Sequence, residues 1–529
     1  MRDINYPMIM SEYDRVWIKH CGFLDLSVEQ FMRIQKSLLL EQLQQVACCP
    51  LGRRLLGKKI PENVDEFRNL VPLTKYEDYL PDLEEGNEDF LPEKPYIWAH
   101  TSGGSGSFNK VPYTLQFYDR VLDNLMGVFI LACSKKRGQS SIVEGDRVLF
   151  NVAPSPYMSG ILACGANERF SLRSVIPPDS YDGMDFKEKV AEGFEVSLQT
   201  GVDILIAMTS VLVKIGNDFT RHSKNGKLSK QLLHPNVLYR FARALLQSKL
   251  EKRSILPKDL WRVKAVIGWG IDTSIYREEV RKYWGMYPYE FHACTEAGIM
   301  AMQSWNKKDL TFIPYSNFFE FIPENSRNGS NQSGTVLLSE VQPGERYELV
   351  ITSFHRMPFI RYRLGHLIRI TALQDKEAQI YLPQMVFEAR ADDLIDIAGF
   401  TRLSEKTVAQ AIANTGLKYE EWSIRKETKQ NKPTLHIYIE LDGEHKSAEV
   451  ASLLHQELKN IDSFYSDLDS MMNIQPLEVT LLRPGTFKDY YEEKKGVGAE
   501  LAQRKPPRVN APDDTIQELV HLGDKQEKT

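Results

Sequence analysis

Residues 263–298 read VKAVIGWGIDTSIYREEVRKYWGMYPYEFHACTEAG. The apolar run 263–268 enters a turn that carries Gly268 and Gly270, helical spacing follows over 276–284, and a second strand ends at Thr295-Glu296-Ala297-Gly298. Strand, glycine turn, helix and strand in succession are the repeating unit of an α/β sheet. In open sheets of this kind ligands bind beyond the carboxyl ends of the strands, which is where both turns fall. Glu296 at the second turn is placed to hold a Mg²⁺ that bridges phosphates, although a lone loop carboxylate is more commonly just solvated.

Working outward, DRVLFNVAP (146–154), VDILIAM (202–208) and YELVITS (347–353) read as further strands, and 202–208 is apolar on both faces, as strands inside a covered sheet are. The α/β pattern extends from about 95 to 387. Upstream, residues 27–47 predict one amphipathic helix, with Ser27 and Gln30 spaced as a capping box. After about 390 the elements change. TLHIYIEL (434–441) alternates strictly, Ser404 can cap a helix burying Val408, Ala411 and Ile412, a second helix carries Val450, Leu453, Leu454 and Leu458, and LEVTLL (477–482) closes the series. The tail from about 511 reads as polar and frayed. The expected architecture is a large α/β N-terminal domain with mixed sheets over 1–390 and a small, mobile α+β C-terminal domain over 391–529, joined by a hinge.

The composition excludes several classes. The 529 residues carry 66 Lys plus Arg against 71 Asp plus Glu, a net charge of −5, so there is no basic excess for a nucleic-acid binder. The six cysteines form no CxxC pair, which reads as reduced thiols in the cytoplasm. The best apolar run, 121–133, contains Asp123 and Asn124 and is too short to span a bilayer.

Two other stretches could carry chemistry. HTSGGSGSFNKVPYT (100–114) packs three glycines, four hydroxyls and one lysine into ten residues. Glycines let backbone N–H groups close on an anion, and hydroxyls and Lys110 add donors and charge. The loop is neither a Walker loop nor GxGxxG, and the Val-Pro-Tyr that follows predicts that it joins two strands. The second stretch, TSFHRMPFIRYRLGHLIRI (352–370) with FEARADDLIDIAGF (387–400), places Arg356, Arg361, Arg363 and Arg390 near the domain junction. Arginine there suits bidentate phosphate contacts, or structural ion pairs with Asp392 and Asp393.

In this order the motifs resemble those of the adenylate-forming superfamily of acyl-CoA synthetases, luciferases and peptide-synthetase adenylation domains. TSGGSGSFNK resembles its phosphate loop, HACTEAG its Tyr-Gly-x-Thr-Glu turn, RYRLGH its Tyr-Arg-x-Gly-Asp strand and ARADD its hinge. The ending 485–509, with Gln503, Lys505, Pro506 and Arg508, resembles that of the GH3 acyl acid-amido synthetases, and the Pro-x-x-x-x-Gly-Lys terminus of CoA ligases is missing.

The resemblance implies ATP-dependent activation of a small carboxylic acid through an acyl-adenylate, with Mg²⁺, then transfer to an amine. The alternatives are a CoA acceptor, as in phenylacetate-CoA-ligase-like enzymes, and a non-catalytic nucleotide-binding homologue, to which the departures Gly104 and His366 point. By the same resemblance Thr101, Ser102, Gly103, Ser105, Gly106 and Lys110 hold the β- and γ-phosphates, and Thr295 and Glu296 the metal. Gly268 and Gly270 flank adenine, while Arg390 contacts ribose or phosphate. His366 stands where the family has its ribose-binding Asp. The acyl pocket lies near Pro154, Ser155, Tyr157 and Gly160, the hinge is Asp392, and Lys488 or Lys505 reaches the α-phosphate. The partners implied are the acid and its amine or CoA acceptor, with no nucleic acid and no membrane span. The sequence names neither the acid nor an oligomeric state.

Overall fold

The computed structural model describes residues 12–57, 59–80, 83, 88–101, 109–177, 186–224, 234–270, 273–324, 334–390, 394–397, 401–429, 432–462, 465–466, 477–494 and 506–524. The helix Val28–Val46 begins with the expected capping box, Ser27 Oγ accepting from Gln30 N and Gln30 Oε1 from Ser27 N. Its buried Gln35 fastens it to the sheet by donating to Pro314 O and accepting from Phe319 N, both at 3.0 Å.

β1 (Ile97–His100) and β2 (Lys110–Tyr113) pair antiparallel, with His100 opposite Lys110, so the Gly/Ser loop does connect two strands. A small hairpin of β3 (Ser134–Lys136) and β4 (Gln139–Ser140) follows. The large sheet then takes β5 (Arg147–Asn151), β6 (Arg173–Ser174), β7 (Ile204–Met208), β8 (Ala265–Trp269), β9 (Tyr289–Cys294), β10 (Gly298–Gln303), β11 (Leu310–Phe312), β12 (Asn317–Pro323), β13 (Arg346–Ser353), β14 (Tyr362–Ala372) and β15 (Gln384–Arg390). Their spatial order is β12-β13-β14-β15-β11-β10-β9-β8-β7-β5-β6. The five strands from β6 to β9 run parallel, and every pairing from β9 to β12 is antiparallel. The helix Thr273–Trp284 crosses from β8 to β9, as the 263–298 pattern requires.

The chain after β15 builds a separate sheet. β16 (Leu394–Ile397) and β17 (Thr401–Ser404) form a hairpin. β18 (Tyr419–Lys429) pairs antiparallel with β19 (Lys432–Leu441), and β19 pairs parallel with β20 (Leu477–Leu482). Ser404 caps the helix Glu405–Asn414, which buries Val408, Ala411 and Ile412 as expected. In the helix Ser447–Ile461, Val450, Leu454 and Leu458 are buried, while Leu453 faces solvent. The tail corrects the expectation of fraying. Asp513–Asp524 is a helix whose Ile516, Leu519 and Leu522 pack with Leu482, Phe487 and Tyr490. Its apolar residues recur every three positions on one face, a signal masked by the acidic residues around them.

Most of the arginine-rich stretch is structural. Arg361, fully buried, donates to Glu320 through Nε (3.0 Å) and Nη2 (2.9 Å), and Arg363 pairs with Glu348 at 2.7 Å. Arg356 meets Glu93 at 2.9 Å. Arg390 alone of the four lines the main cavity.

Candidate active site

A cavity of about 760 Å³ opens at the carboxyl ends of β5, β7, β8 and β9. Its apolar lining includes Leu125, Phe150, Leu162, Ala163 and Ile206. Its polar lining includes Thr295, His292, His366 and Arg390. A smaller cavity of about 310 Å³, with Lys110, Glu88 and Trp98, shares His100 with the first.

The base of the phosphate-type loop is tied down. Asn109 N donates to Thr101 Oγ1 (3.0 Å), and the Tyr76 hydroxyl accepts from Lys110 N (2.9 Å) and donates to Lys110 O (3.1 Å). Lys110 is exposed. Ser102, Gly103, Ser105 and Gly106 lie outside the described residues.

The Thr295-Glu296 turn joins β9 to β10, with Cys294 opposite Gly298. Tyr113 Oη donates to Thr295 O at 2.8 Å, and Ser353 Oγ to Glu296 O at 3.2 Å. Burial pushes the Glu296 carboxyl above the usual carboxylate range, although Arg390, Cys294 and Tyr362 work the other way. A carboxylate with an excess of desolvation gains from a nearby cation. Thr295 lines the main cavity and Glu296 does not; one carboxylate shared with ligand phosphates is the usual arrangement for Mg²⁺. Among the described residues no cluster of three or more His, Cys, Asp or Glu could form an all-protein metal cage.

Of the acyl-pocket residues expected, Tyr157 lines the cavity, while Pro154, Ser155 and Gly160 do not. Gly160 has a packing reason: a Cβ there would come within 2.1 Å of Pro154 C. The lining beside Tyr157 comes from Met158, Ser159, Leu162 and Ala163 of the following helix. Gly270 lines the cavity with φ 132°, and Gly268 packs against Thr209.

His366 lies opposite Arg390 in the β14–β15 ladder, and its Nδ1 is 3.1 Å from Nε2 of His292. Burial lowers the His292 pKa to about 4 and, with His292 and Arg390 beside it, holds His366 well below its ordinary value. Both imidazoles are neutral at physiological pH.

Sequence reasoning missed three further lining residues, Arg277, Glu290 and Lys406. Arg277 Nη1 stands 3.8 Å from Glu290 Oε1, and burial raises the Glu290 carboxyl to about 7. Lys406, from the C-terminal domain, contributes to a cavity otherwise made by residues up to Arg390. Strand alternation places Glu290 on the face of β9 that carries His292, a signal the sequence did contain. Nothing local in the sequence marks Lys406. Lys488 lies in the helix Thr486–Lys494 with its side chain 74 % exposed, 3.9 Å from Glu492, and does not line the cavity. Lys505 and Asp392 lie outside the described residues.

A mixed sheet with its cavity at the strand ends, and a second small domain reaching into that cavity, define the two-domain fold of adenylate-forming ligases. The solved acyl acid amido synthetase GH3.15 from the complex with 2,4-DB superposes with a TM-score of 0.69 at 19 % identity, over 95 % of each chain. A 2-hydroxyisobutyryl-CoA ligase in its postadenylation state superposes at 0.60 and 14 % identity, over 99 % of this chain and 98 % of that one. The chain belongs to the GH3 family: the family's N-terminal domain matches residues 21–165, its central domain 310–390 and its C-terminal domain 404–513. Curated relatives include a jasmonoyl–L-amino acid synthetase of Oryza sativa subsp. japonica, 22 % identical over 86 % of this chain and 88 % of its own length. An indole-3-acetic acid-amido synthetase of Arabidopsis thaliana is 22 % identical over 93 % and 94 %.

Proposed function

We propose that this chain activates a small carboxylic acid with ATP and transfers the acyl group to an acceptor amine. The observation that supports the reading is the cavity's mixed lining, which combines apolar side chains such as Leu125, Phe150, Leu162 and Ile206 with Thr295, Arg277, Arg390 and Lys406. An acid's hydrocarbon part suits the apolar side chains and a nucleotide the polar and cationic ones. In the first half-reaction a carboxylate oxygen attacks the α-phosphorus, the bond to the β-phosphate oxygen breaks and pyrophosphate leaves. In the second, the amine nitrogen attacks the acyl carbon, the carbonyl–oxygen bond to AMP breaks, and the amine proton is released.

The first step brings anions together, so positioning and positive charge dominate its barrier. Lys110 and the loop it closes would hold the β- and γ-phosphates, and Arg390 would stand beside the ribose and α-phosphate. Glu296 with Thr295 would hold Mg²⁺, which supplies charge neutralisation when bound. A C-terminal-domain lysine, from Lys406, Lys488 and Lys505, would meet the α-phosphate. We place the domain division at 390/391, with Asp392 as the hinge. We also place the reaction in the cytoplasm; among the described residues no helix is long and apolar enough to cross a membrane.

The test is ATP–pyrophosphate exchange over a panel of carboxylic acids, followed by product mass spectrometry with pooled amino acids and with CoA. Acid-dependent exchange and an amide product are expected. A thioester without amide would replace the acceptor with CoA, and absence of exchange with every acid would leave a nucleotide-binding homologue.

A further inference from the structure

The helix Pro235–Leu250 contributes nothing to the main cavity and turns one face inward, where Val237, Phe241 and Ala244 are buried. At about 3.6 residues per turn, the positions left outside form two adjacent rows, Leu238-Ala242-Leu245-Lys249 and Tyr239-Leu246-Leu250. All seven are exposed, and the five large apolar side chains range from 49 % for Leu245 to 76 % for Leu250. Among the described residues no other helix or strand exposes more than two large apolar side chains. Single exposed apolar residues need no explanation, but a contiguous face of them marks an interaction surface.

The charge around this face has one sign. Residues 234–262 hold seven Lys plus Arg against two acids, in a chain whose net charge is −5. Both acids are spent on one arginine: Glu251 and the buried Asp259 each meet Arg253 at 2.6 Å. Lys249, Lys252 and Arg262 are exposed. The neighbouring helix Phe186–Thr200 meets this one at its C-terminal end, where Asn236 Nδ2 donates to Gln199 O at 3.3 Å. Its exposed acids, Glu192 and Glu195, lie about one and two turns further back.

We propose that the outer face of the helix Pro235–Leu250 docks the protein on an anionic lipid surface. This goes beyond the proposed activity and does not depend on it. A helix lying in the plane of a bilayer interface buries an apolar face below the headgroups and sets lysine and arginine against lipid phosphates and carboxylates. The leucine rows supply the first part and Lys249, Lys252 and Arg262 the second. Lys249 can run its methylenes along its leucine row while its ammonium stays at headgroup level, and the Tyr239 ring is apolar in its body and polar at its tip. A second copy of the chain fits less well, because a twofold contact sets a patch against itself and so brings these cations together.

The experiment sediments the full chain with vesicles of phosphatidylcholine alone and of phosphatidylcholine mixed with phosphatidylserine. Binding is expected to the mixed vesicles, to weaken as salt is raised, and to be far lower on phosphatidylcholine alone. Leu245→Glu/Leu246→Glu removes apolar area at exposed positions and is expected to lower partitioning by at least about tenfold, with an unchanged melting curve. Lys249→Ala/Lys252→Ala is expected to lower it by about fivefold for each lysine removed. No binding to the mixed vesicles, equal binding to both kinds, or binding undiminished in Leu245→Glu/Leu246→Glu would each overturn the proposal. Sedimentation velocity without lipid is the remaining control: a dimer that Leu245→Glu/Leu246→Glu dissolves would assign the face to a second copy and overturn it as well.

Discussion

The hydroxyls of Tyr276 and Tyr419 lie 2.7 Å apart, one on the helix Thr273–Trp284 beside the cavity and the other at the start of β18 in the C-terminal domain. Lys214 approaches Glu420 next to it, at 3.9 Å, and Lys406 enters the cavity itself. These contacts hold the small domain over the site in the arrangement seen here. A neutral hydrogen bond contributes about 0.5–1.5 kcal/mol, enough to shift a two-state equilibrium by about twofold to tenfold. Tyr276→Phe is therefore expected to loosen docking, seen as a larger radius of gyration in small-angle scattering. An unchanged scattering curve in Tyr276→Phe and Tyr419→Phe alike would remove this contact from the docking energy.

Lys110 and Glu296 are expected to be needed for adenylation. Loss of a single preorganised electrostatic group costs about a hundredfold or more, so Lys110→Ala and Glu296→Ala should each lower exchange by at least that factor. Exchange at the unaltered rate in both would show that the phosphates and metal lie elsewhere.

Lys406 and Lys488 make opposite predictions. If adenylation uses the small domain as docked here, Lys406→Ala lowers exchange about tenfold or more and Lys488→Ala does not, by the same measure of electrostatic donors. The reverse pattern would mean that the domain turns about its hinge to bring Lys488 to the nucleotide.

Arg361 and Glu320 are 0 % and 1 % exposed, so removing either leaves the other buried charge without its two-pronged partner, with Arg68 3.9 Å from Glu320 as the remaining cation. Such a break costs about 3–5 kcal/mol. Arg361→Met is expected to lower stability by that amount in denaturant titrations. The double variant Arg361→Met/Glu320→Leu should recover most of it, because both fully buried charges are removed and Arg68, 3.9 Å from Glu320, is partly exposed to solvent. A single variant as stable as the parent would show that the pair contributes no net energy.

The C-terminal domain has its own acid sensitivity. Burial opposes the charge on Glu427, yet hydrogen bonds from His436 (2.9 Å), Tyr438 (2.8 Å) and Arg425 (2.8 Å) bring its pKa from 4.5 down to about 2. A depressed carboxyl pKa stabilises the fold above the unfolded value, and that stability is lost as pH falls through the folded value. The loss is expected between about pH 4.5 and 2. Glu427→Gln should flatten this window in melting curves taken against pH, and a window unchanged in the variant would assign it to other carboxylates.

Local periodicity and glycine punctuation made much of the fold readable in advance. The run 263–298 could be only strand, turn, helix and strand, because apolar spacing and Gly268 and Gly270 are short-range properties of the chain. The Thr295-Glu296 turn and the strand-linking loop at Thr101–Lys110 were legible for the same reason. The sequence could not show that Arg361 spends its charge on Glu320, 41 residues away, rather than on a ligand. Nor could it place Lys406 in a cavity built by another domain, or join His292 to His366 across 74 residues and three intervening strands. Those relationships depend on how far a sheet curls and where a second domain docks. Both are set by packing summed over the whole molecule, and no window of neighbouring residues carries that information.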